Sequence, residues 1–290
     1  MSRLLWLALA GLILVLLIAV VLLDRRQAQR GAPSLLGLPW GAPAGRTASG
    51  PPPARPREGT RGVPRVAVIV DELGARGDVF EEVVALGRPV TVAVRPGLPL
   101  SRRIARDAAR AGLEVLLQLP LEPHRAPEAD PGPGALTTAM SPDEVGRRTR
   151  EHLASLPGIA GVATGMGSRF TEDRARVRAV LEAVRAERLF VVDSLTTHRS
   201  QAYDLAKALG LPAARRQLFL DTDESEATIR RHLAEVERWA ARRGSVVAIG
   251  HGRPLTVRLL AEALPRWEAR GIMLVRVSAL LDRPAAAGGS

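Results

Sequence analysis

The sequence predicts an α/β protein built around a parallel sheet, namely a distorted (β/α) barrel of about seven strands. Two observations lead to this fold class. Short apolar runs recur between residues 65 and 277, and segments with helical periodicity separate them. Strands that are apolar on both faces are typical of parallel sheets covered by helices. A doubly wound open sheet is the alternative, and the number of repeated units favours the barrel.

Eight of the apolar runs are predicted to be strands. They are too uniformly apolar to alternate between a buried and an exposed face, as expected of strands buried on both sides. The predicted strands lie at residues 65–70, 90–94, 115–119, 158–163, 189–192, 218–220, 245–249 and 273–277.

The segments between these strands have recognisable helix ends. Ser141 and Glu144 form a capping box, and Pro142 stands at the first helical position. Gly210 and Gly244 stand where helices are expected to end. Three segments also show apolar stripes at helical spacing, which predict faces packed against the sheet. The stripes are Val145, Thr149, Leu153 and Leu156; Val177, Val180, Leu181 and Val184; and Ile229, Leu233, Val236 and Ala240.

A membrane-spanning helix is predicted ahead of this domain, in residues 1–24. Twenty consecutive uncharged and almost wholly apolar residues extend from Leu4 to Leu23, and at ~1.5 Å rise per residue they cross a ~30 Å hydrocarbon core. A cleavable signal peptide is the competing interpretation, but its apolar region has only ~7–15 residues. Residues 25–63 are predicted to be a disordered linker, residues 64–283 the barrel, and residues 284–290 a disordered tail.

The composition excludes several classes of function. The chain has no cysteine among its 290 residues, which excludes disulfides, cysteine-ligated zinc and a thiol nucleophile. Its formal net charge of +11 suggests an anionic partner. However, the cationic residues are spread through every helix and aromatic residues make up only 3%. A nucleic-acid partner is therefore not predicted.

Polar side chains stand where several predicted strands end. In parallel α/β folds these strand ends meet at one face, where functional sites lie. Carboxylates and a histidine at such a face can hold a divalent metal or transfer protons. Taken singly, each has a structural explanation such as helix capping or ion pairing, but their recurrence favours a site. They are Asp71, Glu72, Arg95, Gln118, Glu122, Ser168, Arg169, Asp193, Ser194, Asp221 and His251.

The sequence blocks around these residues resemble the divergent polysaccharide deacetylase family, over about residues 65–281. They include Val-Ile-Val-Asp71-Glu72-Leu-Gly, Leu-Pro-Leu-Glu122-Pro, Met166-Gly-Ser-Arg-Phe-Thr, Phe190-Val-Val-Asp193-Ser194, Phe219-Leu-Asp221 and Ala248-Ile-Gly-His251. The resemblance implies a distorted β/α barrel and an acetylated glycan as substrate. It also implies removal of acetyl groups by water bound to a divalent metal, zinc above all.

The resemblance also implies roles for individual residues. Neighbouring residues on an extended strand point in opposite directions, so Asp71 and Glu72 converge only if the chain turns there, as Leu73-Gly74 would permit. The implied roles are the base for Asp71, an orienting carboxylate for Asp193, metal ligation for Glu72 and His251, and substrate contact for Arg95, Glu122, Ser168, Arg169 and Ser194.

Three departures from the family pattern leave two hypotheses about activity. The family usually has histidine at the positions of Gln118, Gly165 and Arg253, and these replacements remove metal ligands. One hypothesis is a membrane-anchored, envelope-facing deacetylase-like enzyme. The other is a non-catalytic glycan-binding or scaffold protein that kept the barrel and lost the metal.

The resemblance further implies a location in the inner membrane. Positive charges flank the apolar run on both sides, so charge alone leaves its orientation open. A glycan substrate outside the inner membrane favours a single-pass protein with its domain on the periplasmic side.

Overall fold

The computed structural model describes residues 62–282. The predicted anchor, nearly all of the predicted linker and the predicted tail lie outside this range. Within it, no helix combines the length and the hydropathy needed to span a membrane. The strands are β1 Arg65–Leu73, β2 Thr91–Val94, β3 Glu114–Leu121, β4 Gly161–Met166, β5 Phe190–Asp193, β6 Ala213–Arg215, β7 Leu218–Phe219, β8 Ser245–His251 and β9 Met273–Leu274. The helices are α1 Gly77–Ala85, α2 Ser101–Arg110, α3 Pro142–Ser155, α4 Arg174–Ala186, α5 Ala202–Ala208, α6 Glu226–Arg243 and α7 Pro254–Ala269.

The strands form a parallel sheet that curls into a distorted barrel. Its order is β6-β5-β4-β3-β2-β1-β8-β7, and β9 pairs with the beginning of β1. Only Arg216 and Gln217 separate β6 from β7, although these strands stand at opposite ends of the order. The Arg216 amide donates to the Asp193 carbonyl on β5, and the Gln217 amide donates to the Val247 carbonyl on β8. One short segment therefore spans the gap between β5 and β8. The parallel α/β half-barrel has eight strands in its order and fits the predicted barrel of about seven.

Apolar side chains fill two layers, one between the sheet and the helices and one inside the barrel. The inner layer includes several alanines, which leave room for the few larger side chains in a narrow interior. Val277 is fully buried in this inner layer, and its amide donates to the Thr91 hydroxyl. The segment after β9, a 3-10 helix at Val277–Leu280, thus closes the barrel at the amino-terminal ends of its strands.

Most predicted elements are present, with differences at the boundaries. The Ser141 hydroxyl accepts from the Glu144 amide at the start of α3, and Gly244 ends α6 with φ 80°, as predicted. The strand predicted from residue 158 begins at Gly161, because Gly158 turns the chain with φ 69°. The strand predicted at 273–277 ends at Leu274, since the chain continues into the 3-10 helix. β6 was not predicted, because three residues are too short for a pattern.

Candidate functional site

The barrel presents one inward-facing residue per strand at its carboxyl-terminal end. Side chains alternate along a strand, so the residue two positions after an inner-layer residue faces inward as well. The inner layer contains Ile69, Ala93, Leu116, Ala163, Val192, Ala214 and Ile249. The inward-facing positions that follow them are Asp71, Arg95, Gln118, Gly165, Ser194, Arg216 and His251. Asp71 and His251 are also register partners on the neighbouring strands β1 and β8.

The carboxyl group of Asp71 is buried, with one oxygen engaged and one free. Its side chain is 5% exposed, and Oδ2 accepts from the Gln118 amide nitrogen at 3.1 Å. Oδ1 is buried and has no hydrogen-bond partner in the described chain. Burial raises the pKa of Asp71 to about 7, against the lowering effect of the His251 charge. Near neutral pH this group can therefore hold or release a proton.

Glu72 turns the chain directly after Asp71. It has φ 57°, the left-handed region that non-glycine residues rarely adopt, and the β1–β2 register shifts between Val70 and Leu73. Its amide donates to the Gln118 side-chain oxygen at 2.7 Å. The turn needed for convergence is thus made at Glu72 itself, one residue before the expected position. The charge of Glu72 raises the pKa values of Asp71 and His251.

His251 is held by a buried carboxylate. Its Nδ1 lies 2.8 Å from Oδ1 of Asp221, and the same oxygen accepts from the His251 amide. Oδ2 of Asp221 accepts from the Thr256 hydroxyl. Burial lowers the pKa of His251, but the Asp221 hydrogen bond and the charge of Asp71 outweigh this effect and raise it to about 9. The imidazole is therefore a cation at neutral pH. Its ring also stacks on Phe219 at 5.8 Å between centroids.

Arg216 is a site residue that the sequence reasoning missed. Its Nε donates to the Ser194 carbonyl at 2.5 Å, one Nη donates to the Leu195 carbonyl at 2.7 Å, and the guanidinium lies 3.8 Å from the Phe219 ring centroid. Burial lowers its pKa to about 10, while the charges of Asp193 and Asp71 oppose this. Arg216 thus stays a fixed cation beside Asp71.

Asp193 and Ser194 face different sides of the sheet. The Asp193 carboxylate accepts from the Leu195 amide, the Ser200 hydroxyl and the Tyr203 amide, so it orders the start of α5. The structure therefore does not bring it to Asp71, and its orienting role stays a prediction. The Ser194 hydroxyl is buried and has no partner among residues 62–282. It faces the carboxyl-terminal mouth of the barrel, as its position after Val192 requires. We call this mouth, which the inward-facing residues form, the pocket.

The other predicted substrate-contact residues hold the long loop between β3 and α3. Arg95 donates to the Pro131 carbonyl at 2.8 Å, and the Ser168 hydroxyl accepts from the His124 amide. Glu122 accepts from the amide and hydroxyl of Thr138 and lies 3.5 Å from Arg169. None of these contacts includes Asp71 or His251. Sugar contact by Arg95, Glu122, Ser168 and Arg169 stays a prediction.

These side chains do not fit a resident zinc ion. A catalytic zinc site has about three protein ligands, and the described residues contain no group of three His, Cys, Asp or Glu side chains that could hold a metal. A Cβ at Gly165 would lie 2.8 Å from Cγ of Gln118, so the glutamine fills the space that a larger side chain at 165 would need. Its amide nitrogen also donates to Asp71. Zinc ligation by Glu72 and His251 stays a prediction.

Comparison with known proteins identifies the family of this chain. The model of the divergent polysaccharide deacetylases matches residues 68–281. The chain belongs to this family. Among its relatives is the Escherichia coli K12 protein YibQ, which is 33% identical over 220 residues that cover 76% of this chain and 68% of YibQ. A protein from Haemophilus influenzae is 28% identical over 200 residues, covering 69% of this chain and 71% of its own.

One solved structure that is similar to this chain shares its fold. It is a protein from Agrobacterium tumefaciens C58, with 30% identity and a TM-score of 0.71. The match covers 78% of this chain and 92% of that chain. The barrel and the family membership are therefore shown together.

Proposed function

We propose that this member of the divergent polysaccharide deacetylase family binds an acetylated glycan in a pocket that uses no metal. The observation that carries the proposal is the position of Gln118. Its amide donates to Asp71 and its methylenes fill the space over Gly165. Gln118 and Gly165 thus stand at two of the positions where the family has metal ligands. The two residues fit together, and Gln118 supplies hydrogen bonds where a ligand would bind metal.

The free polar atoms of the pocket suit an acetamido group. Such a group offers an N–H donor and a carbonyl acceptor. The unpartnered Oδ1 of Asp71 is an acceptor, and the unpartnered hydroxyl of Ser194 and the imidazolium of His251 are donors. Unsatisfied buried polar atoms are unfavourable, so a ligand that satisfies them gains affinity.

Deacetylation is the second candidate function. It is supported by the two shifted pKa values, about 7 for Asp71 and about 9 for His251, because such pairs are typical of acid–base catalysis. In hydrolysis the Asp71 carboxylate would take a proton from the attacking water. His251, oriented by Asp221, would give a proton to the leaving amine, so that acetate and a free amino sugar are released.

The proposal includes anchoring of the domain at the periplasmic side of the inner membrane. The apolar run from Leu4 to Leu23 supports the anchor, and the family's glycan substrates support the orientation. A reporter fused after Ser290 tests the orientation. Activity of a periplasm-specific reporter is expected, and activity of a cytoplasm-specific reporter would refute it.

Calorimetry of the full chain in detergent tests the proposed binding. We expect an N-acetylated oligosaccharide to bind and its N-deacetylated counterpart of equal length to bind at least about tenfold more weakly, as expected from loss of one or two hydrogen bonds at ~1 kcal/mol each. Ser194→Ala should weaken binding about fivefold. Ser155→Ala is the matched control, since the Ser155 hydroxyl donates to the His152 carbonyl at the end of α3, and should bind like the wild type.

Acetate in the same samples separates the two candidates. No acetate supports binding without hydrolysis, and acetate released in proportion to protein and time would establish the hydrolase instead. Equal affinity for the two oligosaccharides would contradict recognition of the acetamido group. Absence of binding to either oligosaccharide would contradict it as well.

A further inference from the structure

The end of the barrel opposite the pocket carries many exposed cationic side chains. This basic end lies where helices finish and strands begin. Seven of its cations have no acidic group within 4.0 Å in the described part of the chain, and all seven are exposed. They are Arg65, Arg185, Arg188, Lys207, Arg242, Arg243 and Arg276. Four carboxylates are exposed at the same end, namely Glu151, Glu187, Glu268 and Asp282. Arg147 and Arg88 already pair with Glu151 and Glu268, so the seven cations outnumber the acids.

Helix dipoles explain only part of this charge. Cations in the last turn of a helix offset its negative end. This accounts for four of the seven, namely Arg185, Lys207, Arg242 and Arg243. Arg65, however, is the first residue of β1, Arg188 lies in the connection from α4 to β5, and Arg276 follows β9. These three residues lie outside the helices and still add charge to the same end.

Exposed apolar side chains lie among these cations. Val63 is 54% exposed and Met273 is 49% exposed. They adjoin each other, because the Met273 amide donates to the Pro64 carbonyl and Met273 is the register partner of Arg65. Exposed apolar side chains within a cationic surface are typical of proteins that lie on anionic membranes.

The chain enters the barrel at this same end. Arg65 begins β1, and the 64 residues before it include the apolar run from Leu4 to Leu23. We propose that the basic end docks onto anionic phospholipid headgroups of the membrane that holds the anchor. The pocket, at the other end of the strands, then faces away from the bilayer. This inference rests on the proposed anchor for the identity of the membrane and on the described residues for the docking surface.

Docking of this kind depends on charge. Each cation near an anionic surface strengthens binding roughly fivefold, and the attraction is screened within a Debye length of about 8 Å at physiological salt. Arg242→Gln with Arg243→Gln should therefore weaken docking about 25-fold. Arg76→Gln with Arg125→Gln removes the same charge from exposed positions at the pocket end and is the matched control.

The cysteine-free sequence allows a direct test with single labels. Met273→Cys at the basic end and Met166→Cys at the carboxyl end of β4 each replace an exposed methionine. Each full-length variant, labelled with a fluorophore, is mixed with vesicles that contain a nitroxide-headgroup quencher lipid. The vesicles are either phosphatidylcholine alone or equal parts of phosphatidylcholine and phosphatidylglycerol.

We expect quenching of the label at 273 with phosphatidylglycerol, its loss in high salt and in the Arg242/Arg243 variant, and no quenching at 166. Equal quenching at both positions, quenching insensitive to salt and to the arginine variant, or none at 273 would overturn the proposal. Co-sedimentation with neutral vesicles in high salt reports the anchor separately. If the protein does not co-sediment with these vesicles, the proposed anchor is refuted. Quenching with phosphatidylglycerol would still decide whether the basic end docks.

Discussion

Replacing Asp71 with asparagine should stabilise the fold at neutral pH. The pKa of Asp71 is raised from 3.8 to about 7 in the folded protein. Folding therefore favours the protonated form, and ionisation of Asp71 weakens the fold progressively as the pH rises from about 4 to 7. A shift of this size corresponds to about 4 kcal/mol at pH 7. Asparagine stays neutral and can still accept from the Gln118 amide, so it removes this penalty.

Urea unfolding of the full chain in detergent measures the effect at two pH values. At pH 7 we expect the variant to be more stable by up to about 4 kcal/mol, and at pH 4 by less than about 1 kcal/mol. Asp193→Asn is the matched control, since Asp193 is also fully buried but its carboxylate accepts three hydrogen bonds. It should lower stability by about 1–3 kcal/mol.

A lower stability of Asp71→Asn at pH 7, or an effect independent of pH, would refute this reasoning. Either result would mean that the Asp71 carboxylate is stabilised by its surroundings. In that case the unpartnered Oδ1 of Asp71 would not destabilise the fold, and a ligand would not be needed to explain why this group is kept.

Two further substitutions test the contacts that shape the pocket. Asp221→Asn removes the carboxylate beside His251, so the pKa of His251, followed by NMR titration, should fall from about 9; an unchanged value would contradict the assigned cause. A raised histidine pKa stabilises the fold below pH ~6.5, and this contribution is lost as the pH rises through about 9. The variant should therefore lose the part of this pH dependence that Asp221 causes, while Asp71 and Glu72 still raise the pKa of His251. Gly165→Ala should cost about 1–3 kcal/mol, because its Cβ meets Gln118 at 2.8 Å. Adding Gln118→Ala should relieve the part of this cost that Gln118 causes, although the Leu119 carbonyl at 3.0 Å stays in place. Strictly additive losses would disprove the contact with Gln118.

Much of the fold follows from the sequence because buried parallel strands and helix caps have local signatures. The apolar run of β1 and the capping box at Ser141 both depend on neighbours within a few residues. β6 and β7 have two or three residues each. Their pairing depends on distant strands, so the closure of the barrel and the position of Arg216 could not be predicted from local patterns.

The site was predicted where strand position alone decides it, and less well where side-chain direction matters. Asp71 and His251 end neighbouring strands in register and do come together. Asp193 and Ser194 both end β5, but the alternation that buries Val192 inside the barrel turns Ser194 inward and Asp193 outward. Counting this alternation along the strand would have kept Ser194 as a pocket residue and excluded Asp193. The fit between Gln118 and Gly165 lies between two strands and required coordinates.

Zinc content of the purified full chain after zinc loading tests the central claim most directly. We expect no stoichiometric zinc in the wild type, because Gln118 and Gly165 supply no ligand to complete a site. His251→Ala should then show the same background value as the wild type. One zinc per chain in the wild type, lost in His251→Ala, would contradict a metal-free glycan pocket and restore the metal-dependent deacetylase.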